Sequence, residues 1–210
     1  MTDILTKIVQ RNELHKKWLN TLSFLENAGA RKISACEEPE LVDITQLKHA
    51  AEEHRHAYYL KKQIQKLDGQ APRHYGLPDL LAPIHTRQYL HKLDIQCARY
   101  LKKQFGFEGR KLRYSAYLYV TYLIEVRADK LYPAYQDVLT EQQSKVTVKS
   151  IILEEEGHLR EMMSMLETLH PDWQTHASYL QAAEEVLFGN WFKQITENVQ
   201  KSEPLRAELA

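Results

Sequence analysis

Two pairs with the spacing Glu-x-x-His lie in helix-forming stretches of this sequence. The first pair is Glu53 with His56, and the second is Glu155 with His158. Residues three positions apart lie on the same face of a helix, so each pair presents a carboxylate and an imidazole side by side. Both groups are ligands that iron, manganese and zinc accept in proteins. We therefore interpret the four residues as candidate metal ligands.

Two further glutamates extend the pattern to Glu, Glu-x-x-His, Glu, Glu-x-x-His. Glu125 is the only charged residue between positions 114 and 126, so an exposed Glu125 would carry large apolar neighbours into water. Glu26 follows an apolar stretch of the first predicted helix, where Glu13 is a rival candidate. Four carboxylates in one core need neutralisation, and two divalent cations would supply it.

The sequence also allows the candidate ligands to be exposed surface residues that bind no metal. The segment 52–56 is polar all round, so Glu53 and His56 can also form a solvated surface pair. Three consecutive glutamates, residues 154–156, can likewise form an exposed acidic face with His158 beside it. The tyrosines of the third predicted helix, Tyr132 among them, are interpreted as core packing.

The segments that carry these residues have the composition of helices, and no convincing strand is visible. Glycine and proline are scarce, with seven of each. We predict an all-α four-helix bundle with core helices at about residues 11–35, 41–67, 111–139 and 144–169, and extra helices at about residues 85–105 and 173–200. Pro39 should mark the break after the first helix, Asp68 and Gly69 should close the second, and Pro133 should kink or end the third. The loop from Gly69 to Pro83 and the extra helix after it form a long crossover, which makes the second and third core helices parallel.

The composition indicates the broad class of protein to which the chain belongs. A chain of 210 residues can bury one large core, so we predict a single domain over residues 1–210. The chain has 28 lysine and arginine residues and 28 aspartate and glutamate residues. It therefore carries no net positive charge that would attract nucleic acid or an anionic membrane. The two cysteines, Cys36 and Cys97, form no C-x-x-C motif. The start of the chain lacks a leader pattern and no stretch has the length of a membrane span, so we expect a cytoplasmic protein.

Over about residues 11–169 the chain resembles the ferritin-like di-iron carboxylate proteins, whose bundles take one Glu from each of two helices and Glu-x-x-His from each of the other two. The resemblance implies a ligand set of Glu26, Glu53, His56, Glu125, Glu155 and His158 around two irons, with manganese as the alternative. It also implies that Glu53 and Glu155 bridge the two metals.

The surrounding residues place the resemblance within the superfamily. Rubrerythrins carry another glutamate three residues after the third-helix ligand, where this chain has Ala128. Ferritins usually lack the second Glu-x-x-His. The set is more similar to that of oxygen-activating members, namely acyl-carrier-protein desaturases, aldehyde-deformylating oxygenases and tRNA-modifying di-iron hydroxylases. The short segment 123–128 resembles the third helix of the last group.

This resemblance implies a di-iron oxidase or monooxygenase acting on a small-molecule or carrier-bound substrate with dioxygen or peroxide. Because no rubredoxin or flavin motif is visible, electrons would come from a separate donor protein. A peroxide-scavenging or iron-handling bundle is the second hypothesis, and a metal-free helical interaction protein is the third. A homodimer through exposed faces of the extra helices is a further expectation, whereas a nucleic-acid or membrane partner is not expected.

Overall fold

The computed structural model describes residues 1–38, 40–68 and 70–202, and within these ranges the chain forms an all-α helical bundle without strands. Its helices are α1 (Thr2–Val9), α2 (Asn12–Ala35), α3 (Ile44–Ile64), α4 (Pro83–Phe105), α5 (Gly109–Glu141), α6 (Lys149–Leu169) and α7 (Trp173–Lys201), with a single 3-10 turn at Leu77–Asp79. The all-α prediction is confirmed. Pro39 and Gly69, which were predicted to break helices, lie outside the described residues.

Several predicted boundaries are corrected by the structure. α3 begins at Ile44 rather than near residue 41, because the side chain of Asp43 accepts hydrogen bonds from the backbone N–H groups of Thr45 and Gln46 and caps the helix there. α6 begins at Lys149 rather than near residue 144, because Gln136 Oε1 binds the backbone of Val148 at 2.8 Å and holds the connection in a non-helical form.

Pro133 was predicted to kink or end the third core helix, and the structure shows that it does not end α5. The helix runs through it from Gly109 to Glu141. Proline removes the N–H that would bind the carbonyl of Asp129, and Asp129 lies in an exposed position where water can satisfy that carbonyl. α1 was not predicted at all. It buries Leu5, Ile8 and Val9 against α2 and α5.

Contacts between side chains fix the directions of the four helices that surround the candidate ligands. Gln46 on α3 donates to the carbonyl of Ile33 at the end of α2, and α3 and α6 pair His56 with Glu154 and His158 with Glu52. Neighbouring core helices are therefore antiparallel, and α3 and α5 run parallel, as the long crossover predicts. α1, α4 and α7 pack mainly around α2 and α5.

The candidate ligands occupy a polar level between two hydrophobic clusters. On α5, the cluster at one end of the bundle includes Leu131 and Tyr135, and the cluster at the other end includes Tyr119 and Leu123, with Glu125 between them. The other three core helices repeat this order. Apolar packing above and below thus holds the four helices in register, and the polar side chains between them are brought to one level.

Candidate metal centre

All six predicted ligands come together in the bundle. Their oxygen and nitrogen atoms form two overlapping groups, and within each group the atoms lie within 4.8 Å of one another. The first group is Glu26, Glu53, His56 and Glu155, and the second is Glu53, Glu125, Glu155 and His158. Glu53 and Glu155 belong to both groups, which is the position that the family resemblance implies for bridging ligands.

Burial decides between the site and the surface alternatives. Glu53, Glu125 and Glu155 are 8%, 3% and 4% exposed, and both histidines are 1% exposed, so neither pair is a solvated surface pair. Glu26 is half-buried, and its side chain retains 13% exposure. The rival Glu13 is ruled out, because its side chain is 81% exposed and pairs with Lys16.

The two imidazoles are oriented by carboxylates of the opposite helix. His56 Nε2 lies 2.8 Å from Glu154 Oε2 on α6, and His158 Nε2 lies 2.8 Å from Glu52 Oε2 on α3. A carboxylate accepts, so in each ring Nε2 carries the proton and Nδ1 carries the lone pair of the neutral form. Both Nδ1 atoms are buried and have no hydrogen-bond partner among the described residues.

The lone pairs of both rings face carboxylate oxygens. His56 Nδ1 lies 3.1 Å from Glu155 Oε1, and His158 Nδ1 lies 3.3 Å from Glu155 Oε2 and 3.6 Å from Glu125 Oε1. Lone pairs that face one another repel unless a cation lies between them. A metal ion fits this position, because metal-bound histidines usually anchor their second nitrogen on a carboxylate in this way.

The crowding of the centre shifts the pKa values of Glu53, Glu125 and Glu155. Burial, followed by the charges of neighbouring glutamates, raises the pKa of Glu53 and Glu125 well above the usual range. Burial acts in the same sense on Glu155, but the nearby carboxyl of Glu125 and the imidazoles of His158 and His56 outweigh burial and lower its pKa. Without cations, burial and like charges therefore favour the protonated forms of Glu53 and Glu125, whereas the environment of Glu155 favours its charged form.

The pKa values of the imidazoles shift in the complementary direction. Burial alone would lower the pKa of His56 and of His158, but contacts with Glu155 and with the outer carboxylates produce a net rise in both. A proton on Nδ1 is thus the alternative to a metal ion at the same position. The six residues form a cluster that could hold a metal ion, and protonation of Nδ1 competes with metal binding there.

An outer layer of charged residues braces the centre, and no role for these residues was predicted from the sequence. Glu154 also accepts two hydrogen bonds from Arg55, at 2.7 Å and 2.5 Å. The usable signal was a repeat: the five-residue pattern Glu-Glu-x-x-His occurs at 52–56 and again at 154–158. In each copy the second glutamate points into the centre, and the first binds the imidazole of the opposite helix.

Two further side chains adjoin the ligands. The hydroxyl of Tyr132 donates a hydrogen bond to Glu26, so this tyrosine contacts the centre as well as packing in the core. The ring of His49 lies 4.8 Å from that of His158, and its Nε2 lies 2.6 Å from Glu161 Oε2. Like His56, it is buried and anchored on a glutamate of α6.

A mainly apolar pocket reaches the centre from the side of α2 and α5. It has a volume of about 80 Å³, and Glu26, Glu53 and Glu125 form its polar end. The remaining wall is lined mostly by apolar and aromatic residues of α2, α4, α5 and α7, which include Leu22, Tyr89, Val120, Ala128, Phe188 and Trp191. One water needs roughly 10–15 Å³ on this measure, so the pocket holds a molecule of several heavy atoms.

No protein-family model, curated protein or solved structure matches this chain. Within the three described ranges, no helix is both long enough and apolar enough to cross a bilayer. A function for this chain therefore has to follow from the chemistry of its own residues. That chemistry combines a cluster of carboxylates that could hold a metal ion, two imidazoles aimed at it, and a mainly apolar pocket that ends on three of the carboxylates.

Proposed function

We propose that this chain is a ferritin-like di-iron carboxylate protein that uses dioxygen to oxidise or hydroxylate an organic substrate. The observation that carries the proposal is the pair of buried Nδ1 atoms of His56 and His158. They find no hydrogen-bond partner in the described part of the chain and face carboxylates, while the Nε2 atoms are anchored on outer glutamates. Nothing in the core other than a cation would satisfy both rings in their neutral form.

The proposed ligand set divides into two halves that share two glutamates. Glu26 and His56 serve one metal ion, Glu125 and His158 serve the other, and both groups share Glu53 and Glu155. Four carboxylates balance the charge of two divalent cations. Mixed carboxylate and imidazole ligands accept iron or manganese, and both metals can change oxidation state; iron is proposed because the family resemblance implies it, with manganese as the alternative.

When bound, a pair of irons supplies the redox chemistry that reduces dioxygen and oxidises an adjacent substrate. The chain's own residues prepare the surroundings. Apolar residues of the pocket hold the substrate and exclude water, while Tyr132 donates a hydrogen bond to Glu26 and orients that carboxylate. Electrons come from a separate donor protein, because the sequence shows no rubredoxin or flavin motif of its own.

The pocket favours an organic substrate over the alternative of iron handling or peroxide scavenging. A route for iron or peroxide would be lined by polar groups, whereas this pocket is mainly apolar along its length and polar at the end formed by three glutamates. Ala128 lies in its wall, at the position where rubrerythrins carry another glutamate. The alanine contributes to an apolar surface there and supplies no further ligand.

The first test is the metal content of the purified protein. Iron, manganese and zinc per chain are counted in the wild type, in Glu155→Ala/His158→Ala, and in the control Glu156→Ala/His54→Ala, which removes an exposed glutamate and histidine beside the motifs. We expect close to two metals per chain in the wild type and the control, and a large loss in the first variant. Folded protein that refuses metal in every form would refute the metal centre and favour the interaction protein.

The second test separates the oxygenase from the iron-handling protein. Oxygen uptake by the iron-loaded protein is measured with a chemical reductant, with and without a panel of small apolar compounds that fit the pocket. Uptake that increases with a compound, together with an oxidised product, supports the proposal. Oxygen uptake that depends only on added Fe²⁺ supports iron handling instead, and reductant-dependent loss of added peroxide without oxygen uptake supports peroxide scavenging.

A further inference from the structure

Gly29 lies in the interior of α2, where glycine is destabilising relative to alanine. Its backbone is helical, so no turn requires a glycine at this position. Packing does not require one either. Beyond its own turn of helix, a Cβ built at Gly29 would have one neighbour within 4 Å among the described residues, Glu53 Oε2 at 3.9 Å, which is an ordinary van der Waals distance. An alanine would therefore fit, and the glycine needs another explanation.

Gly29 belongs to the wall of the mainly apolar pocket. No other glycine lines this pocket in the described part of the chain. The missing side chain leaves a gap in the wall, which we call the Gly29 gap, and Glu53 Oε2 borders it. The other pocket-lining residues of α2 all carry long or branched side chains, and they are Leu22, Leu25, Glu26, Lys32 and Ile33.

The Gly29 gap lies at the polar end of the pocket. The carboxylates of that end are Glu26, Glu53 and Glu125, whereas His56 and His158 are not among the residues that line the pocket. A molecule in the pocket therefore meets the candidate ligands on the side away from the imidazoles. Glu53 belongs to both groups of candidate ligands, so the gap adjoins a carboxylate that the two proposed metal positions share.

We infer that the Gly29 gap holds the reacting group of the substrate, and that Gly29 determines which substrates reach the centre. A side chain at this position would occupy space beside Glu53 that the substrate needs. The reaction itself rests on the proposed function, whereas occupation of the gap by an apolar molecule can be measured without it.

The walls of the pocket define the chemical class of this substrate. They are mainly apolar and enclose space for several heavy atoms, so the occupant is a small apolar compound. At the Gly29 gap the wall is the backbone of α2. A methyl group, a methylene group or the edge of an aromatic ring can lie against that backbone and contact Glu53 without displacing it.

Gly189 provides a matched comparison for Gly29. It also lies in the interior of a long helix, α7, and no described atom lies within 4 Å of the position of its missing Cβ. It is exposed and does not line the pocket. Alanine at either position should stabilise its helix, but only alanine at position 29 should narrow the pocket. A glycine that served packing would instead lose stability on substitution.

Binding of benzene to the full chain, as purified, is measured by isothermal titration calorimetry, and metal is counted on the same samples. Gly29→Ala should weaken binding about tenfold, because one methyl group in a small apolar pocket changes affinity by this factor or more. Gly189→Ala should leave the affinity unchanged. Both variants should raise the melting temperature by about 2–4 °C. Equal affinity of Gly29→Ala and wild type, absence of binding by wild type, or a lowered melting temperature of Gly29→Ala would overturn the inference.

Iron content and oxygen uptake connect the gap with the reaction. Iron per chain should be the same in Gly29→Ala and wild type, because the added Cβ lies at an ordinary contact distance from Glu53 and leaves that carboxylate in place. Oxygen uptake should fall about tenfold at low concentrations of a compound that stimulates the wild type. Loss of iron from Gly29→Ala would show that the residue acts on the ligands rather than on the substrate, and would also overturn the inference.

The two sets of measurements distinguish failure of this role for Gly29 from failure of the proposed function. Wild-type protein that takes up no metal would refute the di-iron centre, and benzene binding would still show whether the gap is occupied. Iron-loaded Gly29→Ala that binds benzene and consumes oxygen as the wild type does would refute the role of Gly29 and leave the di-iron oxygenase standing.

Discussion

The outer glutamates offer the sharpest test of how the centre is built. Glu154 holds the Nε2–H of His56 at 2.8 Å, and this bond keeps the lone pair on Nδ1, where it faces Glu155. In Glu154→Ala the ring loses its acceptor, so the proton can move to Nδ1 and the nitrogen ceases to be a ligand. The change affects only the metal position that His56 serves, since His158 is anchored separately on Glu52.

The expected magnitude follows from the contacts of Glu154. Loss of a hydrogen-bonded carboxylate behind a metal-bound histidine typically reduces metal affinity 10- to 100-fold, or about 1.4–2.7 kcal/mol. Glu154 is 29% exposed and shared with Arg55, so water and the arginine screen part of its interaction. We therefore expect a reduction of roughly tenfold for one of the two metal ions. Glu154→Gln keeps an acceptor oxygen and should lose less.

The assay is an anaerobic competition titration of Mn²⁺ against a chelator of known affinity. Wild type, Glu154→Ala and Glu52→Ala are compared with Glu156→Ala, which removes an exposed glutamate beside the motif. We expect each of the first two variants to weaken one binding step and the control to weaken neither. If Glu154→Ala and Glu156→Ala bind Mn²⁺ with equal affinity, the assignment of Nδ1 as a ligand position is refuted.

Three further predictions concern stability and the pocket. Glu184→Ala should lower the free energy of unfolding in urea by about 3 kcal/mol, because it leaves the half-buried Arg127 without its carboxylate partner. A loss no larger than that of alanine substitutions at exposed glutamates would contradict this. Burial lowers the pKa of His15 from 6.5 to about 4, so protonation favours unfolding, and up to about 3 kcal/mol of stability should be lost as the pH falls from about 6.5 to about 4. His15→Gln should remove that part of the pH dependence of urea unfolding, and an unchanged slope would count against it. Ala128→Phe should fill the pocket and abolish substrate-dependent oxygen uptake while the metal content stays at the wild-type level; unchanged uptake would place the substrate elsewhere.

The six candidate ligands could be predicted because their signals are local. Glu-x-x-His is a one-turn pattern, and the apolar run around Glu125 forces that glutamate inward. The order of carboxylates along the chain then matched the order of helices in the bundle. For Glu26, the sequence left Glu13 as a rival on the same helix, and the burial of Glu26 against the exposure of Glu13 favours Glu26.

The features that were missed depend on tertiary contacts. α1 has eight residues, too few to be stable alone, and forms because Leu5 and Ile8 are buried against α2 and α5. The continuous helix through Pro133 is a case in which packing on both sides overrides a local preference. The roles of Glu52 and Glu154 require knowing which residues of α3 and α6 lie at the same height, and no pattern within one helix provides that.

The crossed arrangement of the Glu-Glu-x-x-His repeats explains how two separate helical hairpins can share one centre. α3 and α6 approach each other far less closely than the helices within each hairpin, and they are joined by His56 to Glu154, His158 to Glu52 and Lys48 to Glu161. In each motif one glutamate supplies a ligand and its neighbour fixes the imidazole of the other helix. Neither helix can therefore present an oriented histidine until the other is in register. Correct pairing of the two hairpins and assembly of the six candidate ligands therefore occur together. Metal binding should stabilise the contact between α3 and α6, which has less apolar packing than the contacts within each hairpin.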